Sequence, residues 1–218
     1  MWVDPTIQAL LEVAKGSGGG GGGMSIDDIA TGTYSPTSID IGDVLLCPYA
    51  FAGTNITKVF YRIGDGQGPL AGMSGAFRDC LSLTAFVMPL TTYVIATSSS
   101  DWFNGCTNLA AFDSSLSAIQ GARCFNNCSR LTTLVLRGSS IVNLSNATFF
   151  NGTPFANGGT GGTIYIPKAL YDHLEDGTSN DYKAATNWAT LDAYGTITWA
   201  KIEGSIYETQ YADGTPIT

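Results

Sequence analysis

The side chains that most often carry out enzymatic chemistry are few in this sequence and lie far apart. His173 is the only histidine among 218 residues, so neither a zinc site nor a histidine-activated nucleophile is expected. Adjacent carboxylates occur at Asp27 and Asp28 and again at Glu175 and Asp176. Acidic side chains in turns or at helix ends are usually exposed to water. These residues and spacings predict no catalytic site.

Two loops have a composition that suits a small ligand, but neither has the required spacing. Asp40 and Asp43 could bind calcium weakly, yet the spacing of an EF-hand is absent. Residues 64–68 are rich in glycine, but no Lys-Ser or Lys-Thr pair follows them, so a surface turn is favoured over a phosphate-binding loop. We therefore expect no metal ion and no cofactor.

Five cysteines are the remaining reactive side chains. Cys80, Cys106 and Cys128 occupy one position of a repeat, Cys47 and Cys124 stand apart, and no Cys-x-x-Cys spacing occurs. This pattern predicts a ladder of buried, reduced thiols that pack as small apolar groups. A disulfide is the alternative, and the odd number of cysteines would leave at least one thiol free.

The repeat begins with a phenylalanine, and in the regular copies apolar residues follow at offsets of 3, 6 and 9 positions. The outer copies are degenerate, with Thr54 and Thr153 near or at the cysteine position. The leading residues Phe51, Phe77, Phe103, Phe125 and Phe150 are 26, 26, 22 and 25 residues apart, which is the period of leucine-rich solenoids. The regular copies place Phe77, Cys80, Leu83, Phe103, Cys106, Leu109, Phe125, Cys128 and Leu131 in the predicted core.

A repeat unit of about 25 residues is too short to bury its own apolar face. Stacked units bury it, because equivalent side chains then lie above one another at about the 4.8 Å spacing of β-strands. The sequence therefore predicts a mainly β leucine-rich-repeat solenoid of about four to five coils over residues 47–163. A small C-terminal cap with helices is expected over 164–191, and a strand or hairpin with a tail over 192–218.

The N-terminal region is predicted to anchor the chain. Residues 1–15 have the pattern of an amphipathic helix capped by Asp4, residues 16–23 form a polyglycine linker, and residues 24–46 are expected to cap the first coil. A frayed terminus or a cloning remnant is the alternative. The first residues lack the basic stretch of a secretion signal. The side chains expected to dock on a partner are Trp2, Ile7, Leu10 and Leu11.

These motifs resemble the BspA-type leucine-rich repeat family of bacterial surface antigens, whose units carry Ala-Phe-x-x-Cys-x-x-Leu-x-x-Ile. Residues 76–83 match this unit well, and Met88-Pro89 stands where Ile-Pro is usual. Residues 164–167 and 181–188 are similar to the closing segment of such proteins, including copies encoded by phages and prophages of gut bacteria. The resemblance covers about residues 47–191. It implies surface attachment or an accessory role on virions, without a conserved catalytic centre.

Composition excludes two broad classes of function. The formal net charge is −8 and the ten basic residues are scattered, so a nucleic-acid partner is not expected. No apolar run reaches the 18 residues or so that a membrane span needs.

The function expected is that of a non-enzymatic bacteriophage virion accessory protein, in a tail, fibre or head decoration. It would bind other virion proteins through its N-terminal helix, form a homo-oligomer, and display its repeats towards a host-surface glycan or protein. Its expected location is the virion, which lysis releases. The alternative is an adhesin or glycan-binding module on the bacterial surface. Tyr61, Tyr93 and Trp102 are the aromatic residues expected to bind sugars, although packing in the core or cap would explain them equally well.

Overall fold

The computed structural model describes residues 39–41, 51–61, 74–88, 94–95, 100–119 and 122–217. In chain order its strands and helices are β1 (Ile39–Ile41), β2 (Lys58–Tyr61), β3 (Ala85–Met88), β4 (Val94–Ile95), β5 (Ala111–Ser114), β6 (Ala118–Ile119), β7 (Thr133–Leu136), β8 (Asn143–Leu144), a 3₁₀ helix (Ala147–Phe150), β9 (Gly162–Ile166), α1 (Lys168–Tyr171), α2 (Thr186–Asp192), β10 (Ile197–Lys201) and a second 3₁₀ helix (Ile206–Glu208).

The strands form two parallel sheets. Sheet A has the order β1-β2-β3-β5-β7-β9-β10, and sheet B has the order β4-β6-β8. In sheet A, Phe86 lies beside Phe112, which lies beside Leu134, which lies beside Ile164. Since side chains alternate along a strand, these four point into the core and their neighbours in sequence point outwards. The predicted stack of β coils is therefore confirmed for these coils, and the structure adds that their strands are short and parallel.

A turn segment that begins at the leading phenylalanine forms the third side of each coil. Its main chain bonds to the next coil: the amide of Phe77 donates to the carbonyl of Trp102 at 3.0 Å, and that of Phe103 donates to the carbonyl of Cys124 at 2.8 Å. The residue two positions after the phenylalanine has a positive φ in each of the five described turn segments. These residues are Gly53, Asp79, Gly105, Asn127 and Gly152. Glycine, aspartate and asparagine are the residues that adopt this conformation most easily.

The leading phenylalanines stack into one continuous column. Ring centroids of successive members are 5.3, 5.7, 5.5 and 5.2 Å apart, with interplanar angles of 13° or less. The degenerate outer copies therefore belong to the stack. In these copies the hydroxyl of Thr54 donates to Phe51 O at 2.8 Å and that of Thr153 donates to Phe150 O at 2.7 Å, each within its own coil.

The third unit is four residues shorter than the unit before it, because each of two connections is two residues shorter. Five residues (89–93) separate β3 from β4, whereas three (115–117) separate β5 from β6. Seven residues (96–102) separate β4 from the next leading phenylalanine, whereas five (120–124) follow β6. The strands and the phenylalanine column keep their register because only the connections are shortened.

The C-terminal cap closes the free edge of sheet B with side chains. The indole Nε1 of Trp188 donates to Val142 O at 2.7 Å, and the Tyr182 hydroxyl accepts from Val142 N at 2.9 Å. The amide of Asn187 donates to Leu144 O at 2.6 Å. These groups replace the bonds that a further strand would make. Within the described ranges, no helix is both long and apolar enough to cross a membrane.

The predicted anchoring helix and its docking residues Trp2, Ile7, Leu10 and Leu11 lie outside the described residues, as does the polyglycine linker. Only residues 39–41 of the predicted N-terminal cap are described, and they form β1 beside β2.

Candidate binding surface

The predicted sugar-binding role is wrong for Trp102, because its side chain is completely buried. Its ring packs edge-on against Phe103 with centroids 5.7 Å apart, and against Phe77 and Phe86 at 6.3 Å. Only the backbone of Tyr61 is described, in β2, and Tyr93 lies outside the described residues.

The groups that suggested chemistry do not come together. His173 Nδ1 lies 2.6 Å from Asp176 Oδ2 on the exposed cap, and Glu175 pairs with Lys183. Asp28 and Asp43 are outside the described residues. In the parts of the chain that the structure describes, no three His, Cys, Asp or Glu side chains form a group that could hold a metal ion.

An open groove of about 340 Å³ lies beside the last coil. Residues 152–160 form most of its wall, together with Ser129, and none of its lining side chains titrates near neutral pH. The groove is therefore concave, but its lining contains no side chain that could act as an acid, a base or a nucleophile.

The repeated thiols bond from coil to coil instead of forming a reactive cluster. The Sγ atoms of Cys80, Cys106 and Cys128 donate to the carbonyls of the leading phenylalanines one coil earlier, at 3.0, 2.9 and 3.0 Å. These thiols and that of Cys124 are buried, and none of the four is in a disulfide. Burial raises the pKa of Cys124 to about 12 and also raises the pKa of Cys128. Because a carbonyl oxygen can only accept, the three thiols of the ladder act as the hydrogen-bond donors in these contacts.

A buried ion pair lies on the outer face of sheet A. Asp113 in β5 points away from the core, and its side chain is 0% exposed. Arg137 follows β7 and binds both carboxylate oxygens, Nε to Oδ1 at 2.6 Å and Nη2 to Oδ2 at 2.8 Å. Burial raises the pKa of the Asp113 carboxyl, and the guanidinium of Arg137 opposes this shift. The two-point geometry fits a carboxylate held in its charged form by its partner.

Residues 206–217, here called the C-terminal segment, cross this face and are bound through their main chain. Arg137 donates to Tyr207 O at 2.8 Å and to Gln210 O at 3.1 Å, while Ala212 N donates to Asp113 Oδ2 at 2.9 Å. Lys58 Nζ in β2 donates to Asp213 O at 2.8 Å. Two tyrosine contacts supplement these bonds: the ring of Tyr207 meets Tyr165 edge-on at 4.6 Å, and Arg137 lies over the ring of Tyr211 at 4.9 Å.

This pair belongs to no motif predicted from the sequence, although the repeat contains a signal for it. Asp113 lies between Val87 and Val135 in the strand register, so a charge interrupts an apolar row. Arg137 stands 24 residues later, which is about one coil. A charged residue in such a row needs a partner of opposite charge nearby.

Comparison with known proteins supports the repeat architecture. A family model described as "BspA type Leucine rich repeat region (6 copies)" matches residues 73–160. No curated protein matches the sequence, and no solved structure matches it. Repeats of this kind serve in binding and in structure, and they are typically not enzymes. The stacked coils and this match together show that residues 73–160 are a BspA-type leucine-rich repeat region.

Proposed function

We propose that the chain is a non-enzymatic accessory protein of a bacteriophage virion, which displays its repeat region towards a host surface. The observation that carries the binding role is the column of stacked coils. Its interior is filled by phenylalanine rings and thiols, so its outer faces are left for contact with a partner.

Attachment to the particle is assigned to residues 1–15. Their amphipathic pattern and the polyglycine linker that follows support this assignment, since a helix of this length is marginal in water without a surface to lie on. The proposed partners are other virion proteins at this end and a host-surface glycan or protein at the repeat region.

The second candidate is an adhesin on the bacterial surface, which the match to BspA-type repeats favours because proteins of this type include surface antigens. An antibody against residues 73–160 distinguishes the two. We expect it to label purified phage particles from the source culture, in proportion to the major capsid protein. Labelling of the cell envelope alone would favour the adhesin, and labelling of neither would contradict both functions.

A further inference from the structure

The outer face of sheet A carries a row of side chains that are buried although they point away from the core. Val87, Asp113 and Val135 are adjacent in the register of β3, β5 and β7, and each is 0% exposed. Val87 and Val135 do not belong to the hydrophobic cluster inside the solenoid. The C-terminal segment crosses this row, as the bond from Ala212 N to Asp113 shows.

The sheet recognises the segment by the position of its main-chain groups. Four hydrogen bonds join side chains of the sheet to three carbonyls and one amide of the segment. Main-chain carbonyls are present in every peptide. A face that recognises them can accept any peptide of the same backbone shape, with selectivity added by pockets for particular side chains.

The C-terminal segment is weakly embedded compared with the coils. None of its residues is buried, and Ile206 is 61% exposed. It folds back on itself through bonds from Tyr211 N to Thr215 O at 2.8 Å and from Ile217 N to Thr209 O at 3.0 Å. A segment with few buried contacts and its own internal bonds opens at a lower free energy than the core unfolds.

We propose that the outer face of sheet A is a peptide-binding surface, and that the C-terminal segment occupies it as a displaceable intramolecular ligand. This inference rests on the proposed binding role and names the surface that performs it. The occupant that replaces the segment is an acidic peptide of a partner protein, with two tyrosines four positions apart in a turn.

The chemistry of the partner follows from the present occupant. Tyr207 and Tyr211 supply its two ring contacts. Glu208 and Asp213 are its only charged side chains. The surface beneath it presents the cation of Lys58, while the charge of Arg137 is balanced by Asp113. A tethered segment competes at an effective concentration of about 1 mM. The intact chain should therefore bind such a peptide weakly until its own segment is loosened.

The test uses the full-length chain and a fluorescein-labelled peptide of residues 204–217. The variant Tyr207→Ala/Tyr211→Ala loosens the segment and leaves the sheet unchanged, and Tyr194→Ala is a matched control for removal of a half-exposed tyrosine. We expect fluorescence anisotropy to show binding at least ten-fold tighter to the double variant than to the unmodified chain or the control. A scrambled peptide should not bind.

Hydrogen exchange at residues 206–217 shows whether the segment has been released. If it remains protected in the double variant, Asp213→Lys is added, and if the double variant does not fold, Tyr211→Ala is used alone. Absence of peptide binding to a folded variant with a released segment overturns the proposal. Equal binding to the unmodified chain and the variant also overturns it.

Two further measurements separate the alternatives. The first, light scattering, tests whether a second copy of the chain supplies the segment. If the unmodified chain is a dimer and the double variant is not, a second copy supplies it. This result would overturn the choice of an acidic partner peptide but support the outer face of sheet A as a peptide-binding surface. Labelling of virions by the antibody does not depend on peptide binding. A labelled virion with no peptide binding overturns this inference alone, whereas peptide binding without labelling of particles or envelopes overturns the proposed function alone.

Discussion

The thiols at the cysteine position join neighbouring coils by hydrogen bonds that a similar apolar residue would not make. Cys80, Cys106 and Cys128 each donate to a phenylalanine carbonyl one coil earlier. Each of these carbonyls also accepts an amide of its own turn segment, so the thiol adds a second bond, between coils, that alanine would not supply. Their chemical state is accessible to direct measurement.

We expect the four described thiols to react with a reagent such as DTNB only after unfolding. In guanidinium all five thiols of the chain should react. Because burial raises the pKa values of Cys124 and Cys128, the folded protein keeps protons that the unfolded chain loses. The stability that these two thiols contribute should therefore be full below about pH 9 and be lost as the pH rises above it. Rapid reaction of two or more native thiols, or a disulfide found by mass spectrometry, would contradict this prediction.

Replacement of Arg137 by alanine should destabilise the protein strongly. The change leaves the carboxylate of Asp113 buried without its charged partner, which typically costs about 3 to 5 kcal/mol. The raised pKa of Asp113 should rise further, so the variant should regain stability as the pH falls and the carboxyl becomes protonated. Urea unfolding at neutral and acidic pH measures both effects.

The double variant Asp113→Val/Arg137→Met is the matched control. Its apolar side chains continue the row formed by Val87 and Val135, so most of the lost stability should return. A double variant as unstable as Arg137→Ala would show that the bonds from Arg137 to the C-terminal segment, and not the unpaired charge, account for the loss.

At the scale of the element, the turn segment after each leading phenylalanine is the most constrained part of a coil. Its left-handed residue must adopt a positive φ and also lie against the previous coil. A Cβ atom built on Gly152 would stand 2.7 Å from Asn127 Oδ1 and 3.2 Å from its backbone N and Cα. At Gly53, the equivalent position in the first described turn segment, a Cβ atom would meet nothing within 4 Å.

This difference predicts unequal effects of the same substitution. Gly152→Ala and Gly53→Ala both place a side chain in the left-handed region, at a cost of about 1 to 2 kcal/mol. Only Gly152→Ala also displaces the neighbouring coil, so it should lower the free energy of unfolding further. Thermal or urea unfolding of the two variants measures the difference. Equal losses would mean that the coils are less tightly stacked at this turn than the described contacts indicate.

At the scale of the whole molecule, the solenoid is closed differently at its described ends. At the C-terminal end, Asn187 bonds the last strand of sheet B at Leu144, and Tyr182 and Trp188 bond Val142 just before that strand. Sheet A continues through β9 to β10, which pairs only with β9 among the described strands. At the other end, β1 is the outermost described strand, and the chain before it contains the predicted anchor.

The anchor can be tested by comparing the full chain with one that starts at Met24. We expect light scattering to show a defined oligomer for the full chain and a folded monomer for the shortened one, because residues 1–23 would supply the self-association. Circular dichroism checks that the shortened chain is folded. Identical folded monomers would exclude self-assembly through this region and would favour the adhesin.

The sequence by itself determined the repeat period and the buried ladders of phenylalanine, cysteine and leucine. Each of these depends on side chains that recur at a fixed spacing, and recurrence is visible without coordinates. Trp102 was ambiguous because its type hid its position. It stands directly before a leading phenylalanine, as the buried Ala76 and Cys124 do, but a tryptophan there has no counterpart in the other copies, and its burial depends on the rings of neighbouring coils.

Only the tertiary structure decided how the C-terminal segment lies on sheet A. Asp113 and Arg137 are about one coil apart, but the main-chain groups that they bind are 70 or more residues further along the chain. No periodic pattern marks such a contact, since it joins an unrepeated tail to a repeated surface through backbone atoms that every residue possesses. The contact exists because the stacked coils bring the charged pair and the two tyrosine contacts onto one face.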